Sequence, residues 1–367
     1  MRIICEKSDL LKSINIAIRA VPVRTTMPIL ECILIEARGN EIRLTANDMD
    51  LGIETKVSGL IEETGRLAVE AKMLSEIVRK LPDSAVTIAS DKNYTVTITC
   101  EKAKFVISGK SDDDFSYLPA VEREDSVEIS QFTLKNLINQ TIFSIAANEN
   151  NKMMSGELFE IRSGYLRVVS LDGHRISIRR VELRESCPDR KVIVPGKTLQ
   201  EISKILSGEM DDMIRLSFAR NHLVFEMEGT TVVSRLIEGE YFSIDQMIST
   251  DYETKLVVNK REFLSCIDRA TLFVREGDKK PIILDIRDDE LTLSIDSPLG
   301  SMNEELAIMK EGKDLMIGFN PRFLIDALRV IDEEEVTLYM VNPKAPCFIR
   351  DEDETYTYLI LPVNFTR

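Results

Sequence analysis

The stretch VIVPGKTLQEISKIL, residues 192–206, decides how this chain is built. It reads as a short apolar strand, a break at Pro195 and Gly196, and an amphipathic helix with Leu199, Ile202, Ile205 and Leu206 on one face. Pairs shaped like Leu199 and Ile202 recur as Leu11/Ile14, Leu74/Ile77, Leu134/Leu137, Leu264/Ile267 and Leu324/Ala327, the last reinforced by Leu328. That makes six copies, 60 to 65 residues apart, and a period of this size marks tandem modules.

Helix-start residues precede these pairs. Ser130, Pro195 and Asn320 stand four residues before the leading leucine, and Asn259 five before Leu264. Ser and Asn side chains accept a backbone N–H left orphaned in the first turn, and Pro321 after Asn320 loses nothing by lacking one. Asn259 with Glu262 reads as a variant capping box. Asp48, Asp172 and Asp296 each follow an alternating apolar strand and are 124 residues apart in both steps, while Leu74, Leu199 and Leu324 are 125 apart. The unit is therefore a double module present three times.

The expected class is α+β: three similar domains, each of two half-repeats of antiparallel sheet plus one helix, with the helices gathered on one face. Charged stretches at 121–126 and 249–254 place the domains at residues 1–122, 126–250 and 254–367. Strands are expected at 29–37 and 42–46 in the first domain and at 357–363 at the end of the third.

With 367 residues, 44% of them hydrophobic, the chain can bury several cores of ordinary size. It has no run of 18 apolar residues, and MRIICEKSDL meets charge too soon for a signal peptide, so a cytoplasmic protein with no membrane partner is expected. Six cysteines without Cys-x-x-Cys spacing read as reduced, buried thiols.

The net charge of −15 argues at first sight against a nucleic-acid partner. The six helical segments alone carry about +8, leaving −23 for everything else. Acidic runs at 62–63, 112–114, 211–212, 288–290, 333–335 and 351–354 are expected in loops. If the helices share a face, that face accepts a phosphate backbone while the rest repels it. Without Trp, and with 6% aromatic residues, stacking on single strands is poorly supported.

Signals for catalysis fail one by one. Gly196-Lys197-Thr198 resembles the end of a phosphate-binding loop, but Lys191 stands where its first glycine belongs. His174, in Leu171-Asp172-Gly173-His174-Arg175, has no nucleophile motif beside it and taken alone reads as a turn residue. The acidic runs are contiguous rather than spaced on strand ends, as metal ligands would be. No catalytic residue, metal or cofactor is expected.

Together with Arg24-Thr-Thr-Met-Pro-Ile-Leu, Leu171-Asp-Gly-His-Arg-Ile, Val192-Ile-Val-Pro-x-Lys, Gly318-Phe-Asn-Pro-Arg-Phe-Leu-Ile-Asp-Ala-Leu and Tyr358-Leu-Ile-Leu-Pro-Val, the chain resembles the bacterial sliding clamps, the beta subunit of replicative DNA polymerase III, along its whole length. The resemblance implies the DNA clamp fold and a homodimeric, head-to-tail ring with helices around duplex DNA and sheets outside. Such a ring has no chemistry of its own. It tethers the replicative DNA polymerase, the clamp loader complex and other proteins carrying a clamp-binding motif. By similarity, Arg24, Lys72, Arg79, Asn148, Lys152 and Lys197 face DNA. The implied peptide-binding pocket comprises Met154, Leu171, Gly173, His174, Arg175, Ile176, Phe242 and Met247, with Pro346, Ile360, Leu361, Pro362 and Val363 from the third domain.

Two departures bear on that pocket. The family's usual Gly-x-Phe-Pro-Asp-Tyr reads Gly239-Glu-Tyr-Phe-Ser-Ile here, so Phe242 replaces a proline, and Gln246 stands where arginine is common. A different pocket shape is expected, with the tail 364–367 leaning over the site. The rival readings are a metal-dependent enzyme acting on nucleic acid and an open repeat scaffold. An enzyme would show Mg²⁺-dependent turnover, and a scaffold would not distinguish circular from linear DNA.

Overall fold

A computed structural model describes all residues except 123–124, 148–150, 186, 276–279 and 366–367. The chain groups into two compact units, residues 1–132 with 201–236, and residues 133–200 with 237–367.

Six α-helices recur along the chain: α1 (Lys7–Ala17), α2 (Ala71–Lys80), α3 (Gln131–Asn139), α4 (Gly196–Ile205), α5 (Lys260–Ala270) and α6 (Pro321–Val330). A strand runs directly into all but α6, where Asn320 alone intervenes. Asn320 Oδ1 accepts the Arg322 N–H at 3.0 Å and Asn259 Oδ1 that of Glu262 at 3.1 Å, so both expected caps form. Glu70 caps α2 as well, accepting from the Lys72 and Met73 N–H groups at 3.1 and 2.6 Å. A carboxylate suits that end of a helix on charge as well as geometry.

The helical phase differs from the expected one in two copies. Leu10 and Phe263, rather than Leu11 and Leu264, are the fully buried leading residues of α1 and α5, and their neighbours are half-buried. The shift removes an irregularity. Glu6, Glu70, Ser130, Pro195, Asn259 and Asn320 now each stand four residues before the leading apolar residue of their helix.

In the first unit, α1 and α2 pack together and two antiparallel sheets form. The five-stranded sheet has the order Leu60–Glu63, Arg2–Glu6, Ala85–Ser90, Thr95–Cys100, Ala103–Ser108. The eight-stranded sheet runs Asp125–Ser130, Met213–Phe218, His222–Met227, Thr230–Arg235, Leu51–Val57, Glu41–Asn47, Cys32–Arg38, Gly65–Glu70. It is continuous because Thr230–Arg235 pairs with Leu51–Val57, where the Thr55 and Thr230 hydroxyls meet at 2.8 Å.

The second unit is built on one run of twelve antiparallel strands. In order these are Arg190–Pro195, Gly156–Arg162, Tyr165–Leu171, Arg175–Glu182, Tyr356–Ile360, Cys347–Arg350, Glu335–Met340, Thr254–Asn259, Gly300–Gly312, Glu290–Ser297, Ile282–Arg287 and Leu315–Phe319. The join Arg175–Glu182 with Tyr356–Ile360 repeats the join in the first unit. Here α5 packs on α6 over a large core that includes Phe263, Phe319, Leu324 and Tyr358.

Three expected strand or loop assignments change. Residues 28–31 form a short 3-10 turn opened by Pro28, and the strand starts at Cys32. Glu62 and Glu63 lie in an edge strand rather than a loop, with Glu62 paired to Arg2 at 2.6 Å, and charge on an edge discourages further pairing. The C-terminal strand stops at Ile360 rather than 363, since Pro362 has no N–H to offer a ladder. Of the other acidic runs, Glu290 and Glu335 open strands. All six cysteines are free thiols, five of them buried.

Candidate functional site

Strand alternation gives the twelve-stranded run two faces, and a second, smaller apolar cluster lies apart from the large core. Its buried members are Leu158, Val169, Leu171, Ile176, Ile178, Ile244, Phe348 and Leu359, flanked by half-buried Met154, Tyr241, Phe242, Ile248 and Tyr339. Along Tyr356–Ile360, residues Tyr356, Tyr358 and Ile360 enter the large core while Leu359 enters the small cluster. Cys347 and Ile349 part from Phe348 in the same way, as period-two side chains must.

Met154, Leu171, Ile176 and Phe242 are thus brought together, but as a floor more than an opening: Leu171 and Ile176 are only 4% and 6% exposed. The Phe242 ring meets Tyr241 edge-on, centroids 5.8 Å apart. Met247, 50% exposed, rides on a 3-10 turn fixed by its N–H to the Ile244 carbonyl at 2.8 Å. Leu361, 39% exposed, is held by its N–H to the His174 carbonyl at 2.9 Å. Those two supply the exposed apolar rim.

The turn 172–175 is built by Asp172, whose carboxylate accepts the His174 N–H at 3.0 Å, and by Gly173 at φ +86°, a conformation that favours glycine. The exposed His174 ring stacks on Phe323 at 6.1 Å. Pro346 is half-buried and leads into Cys347–Arg350. Val363 donates to the Gly318 carbonyl at 2.8 Å, and half-buried Pro362 bridges the two anchored residues.

Two expected pocket residues point elsewhere. Ile360 is fully buried in the large core. Arg175, paired with Ile360 in the ladder, is buried too, and its guanidinium is engaged by Asp172 at 3.0 Å, Asp326 at 2.7 Å and the Phe143 carbonyl at 2.6 Å while lying over the Phe323 ring. It braces the turn from behind. Of the tail expected to lean over the site, Phe365 packs against Gly318, and 366–367 lie outside the described residues.

Among the expected DNA-facing residues, Arg24, Lys72, Lys152 and Lys197 are exposed. Lys152 opens a turn capped by Asn151, whose side chain accepts the Met153 N–H at 3.1 Å. Asn148 lies outside the described residues. Arg79 is exposed but ion-paired with Glu76 one turn back, which also draws Lys80. Lys7 is likewise paired with Asp83 and Lys204 with Glu201, each at 2.7 Å, and Arg269 with Glu304. Glu76 and Glu201 already stand in the helical sum, so only the pairs to Asp83 and Glu304, outside the helices, offset it further. Lys12, Lys72, Arg261, Arg322 and Arg329 carry it without an ion-pair partner among the described residues.

Repeated strand–helix modules, with an apolar, partly open cluster beside a tight polar turn, define a protein of three tandem double modules. Family models for the N-terminal, central and C-terminal domains of the DNA polymerase III beta subunit match residues 1–119, 128–242 and 245–364. The chain is 32% identical to the beta sliding clamp of Staphylococcus epidermidis and 33% to that of Staphylococcus aureus, covering 99% of each chain. Among solved structures it matches a putative DNA polymerase III beta subunit from Eubacterium rectale at 65% identity and TM-score 0.95, covering 100% of this chain and 99% of that one. It matches the DNA polymerase sliding clamp of Bacillus subtilis at 32% identity and TM-score 0.95, covering both completely. The chain belongs to the DNA polymerase III beta subunit family, the DNA sliding clamps, which are non-catalytic processivity subunits.

Proposed function

We propose that two copies of this chain close head to tail into a ring around duplex DNA in the cytoplasm, holding a polymerase to its template by enclosure. One observation carries the ring. The strand 230–235 pairs with 51–57, and its counterpart 356–360 pairs with 175–182. By the same repeat, the counterparts 103–108 and 300–307 should pair, yet Ala103–Ser108 is the last strand of its sheet, and 300–307 pairs on one side only, with Glu290–Ser297. Phe105 and Val106 are exposed on the first of these edges. Exposed Leu299 precedes Gly300 at the start of the second, where the Phe273 ring packs against Gly300. Unmatched edges of this kind satisfy each other between two copies and close with twofold symmetry.

Arg24, Lys72, Arg79, Lys152, Lys197 and Asn148 are the residues we assign to DNA. Contacts of this kind should be few and water-mediated, since tight phosphate pairing would stop sliding. The cleft bounded by His174, Met247 and Leu361 is assigned to short peptides of the replicative polymerase, the clamp loader and other clamp-binding proteins, an apolar floor with a polar guide being suited to one or two apolar anchors. The test is retention on circular DNA, loaded with a clamp loader, before and after linearisation. Retention lost on cutting supports enclosure; equal retention on both, or a monomer at micromolar concentration in sedimentation, overturns it.

A further inference from the structure

Each third of the chain fastens its last segment to the same strand. Ala68 and Lys110 exchange backbone hydrogen bonds at 3.1 and 2.8 Å, the Ile237 N–H reaches the Ile193 carbonyl at 2.9 Å, and the Val363 N–H reaches that of Gly318 at 2.8 Å. Positions 68, 193 and 318 are equally spaced at 125 residues. In the first two cases the fastened segment continues into the next domain. In the third it is the C-terminal segment that also carries Leu361 and Val363.

The third fastening differs in chemistry. Where the others use Ala68 and Ile193, this one has Gly318, and a Cβ there would stand 2.8 Å from Phe365 Cδ1 and 2.9 Å from the Val363 carbonyl oxygen. The missing side chain is the seat for the ring. Leu315–Phe319 is the terminal strand of the twelve, so nothing in the sheet competes for the Gly318 carbonyl. Between the His174 and Gly318 carbonyls, residues 361–363 are tied at both ends, with Pro362 stiffening the span.

We propose that residues 361–365 are a strap, seated on Gly318 by Val363 and Phe365, that holds Leu361 in place as the rim of the partner-peptide cleft. This rests on the assignment of the cleft given above. Gly318 and Phe365 are positioning residues: they act through Leu361 and need not touch the peptide. A preformed rim spares the peptide the cost of ordering it, so loosening the strap weakens binding without removing a contact.

The experiment uses the full-length protein and a synthetic peptide carrying the clamp-binding segment of the cognate replicative polymerase, read by calorimetry and by association and dissociation rates. Phe365→Ala and Gly318→Ala should each weaken binding by about fivefold, chiefly through faster dissociation. The double variant should be no weaker than the worse single one, because both release the same strap. Circular dichroism and the dimer in sedimentation should stay at the parent level, which a general loss of structure would not allow. Unchanged or tighter binding by folded Phe365→Ala, or losses that add, overturns the strap. Met247→Ala and Leu361→Ala are run alongside. If these leave affinity unchanged the cleft itself is misassigned and the strap falls with it; if they weaken binding while Phe365→Ala does not, the strap alone fails.

Discussion

The two apolar clusters of the second unit share strands yet differ in every other respect. The large one around Phe263, Phe319 and Leu324 is closed by α5 and α6, and its central side chains are fully buried. The small one, around Leu171, Ile176 and Leu359, is flanked by half-buried Met154 and Phe242, and no α-helix contributes to it among the described residues. Adjacent residues of one strand therefore serve opposite ends. One face of the sheet is closed over by helices, and the other carries the partly open cluster proposed above for a partner.

Breaking the large cluster should give the largest effect. Phe263→Ala removes a fully buried ring and leaves a cavity, at a cost of about 3–5 kcal/mol in chemical denaturation. Peptide affinity of the molecules still folded should not change, and a coupled loss would mean that the two clusters are not separable. At the small cluster the asymmetry reverses. Met247→Ala or Leu361→Ala should cost about 2 kcal/mol in peptide affinity, roughly thirtyfold, with melting temperature nearly unmoved. A variant that lowers stability as much as affinity would show that its side chain packs rather than binds.

The smallest and most discriminating effect belongs to Glu157, on the large-core face next to Leu158 of the small cluster. Its side chain is fully buried with neither oxygen hydrogen-bonded, while the neighbouring Thr141 hydroxyl donates to the Leu137 carbonyl. Burial drives its carboxyl well above the ordinary 4.5, outweighing Thr141, so the folded state keeps the proton to higher pH than the unfolded chain does. The unfolded chain loses that proton as pH rises through 4.5, so the folded state loses relative stability from there up to its own raised pKa. Glu157→Gln has no proton to lose. Near pH 4 it should match the parent within about 0.5 kcal/mol, and at pH 8 it should melt higher. A gap in melting temperature that does not widen with pH would mean that Glu157 is ionised in the fold.

Much of this architecture was legible because it is periodic. Six apolar helical stripes, their capping residues and the 124-residue interval sufficed for three tandem modules of antiparallel sheet and helix. What misled was parity and phase. Ile360 and Leu359 are both apolar and adjacent, and only knowledge of which face is covered by helices assigns Leu359 to the cleft. Phe348 was missed for that reason, though alternation along 347–349 separates it from its neighbours, while Tyr241 and Ile244 lie outside any strand and carry no alternation to read. Arg175, implied as a pocket residue by the resemblance, lies behind the turn: Asp172 is only three residues away, but Asp326 and the Phe143 carbonyl come from distant places in the sequence. Glu76, the partner of Arg79, lies three residues back on the same helix and was legible as an i, i+3 pair.

The ladder between 175–179 and 356–360 has a mechanical consequence. Five consecutive residue pairs zip these segments together, and five more join 230–234 to 51–55. Such junctions resist bending in the sheet plane, and the chain itself backs each of them, so neither works as a hinge. In a closed ring the seams between copies would have pairing with no covalent support, so prying apart one strand edge would open the ring without breaking either ladder.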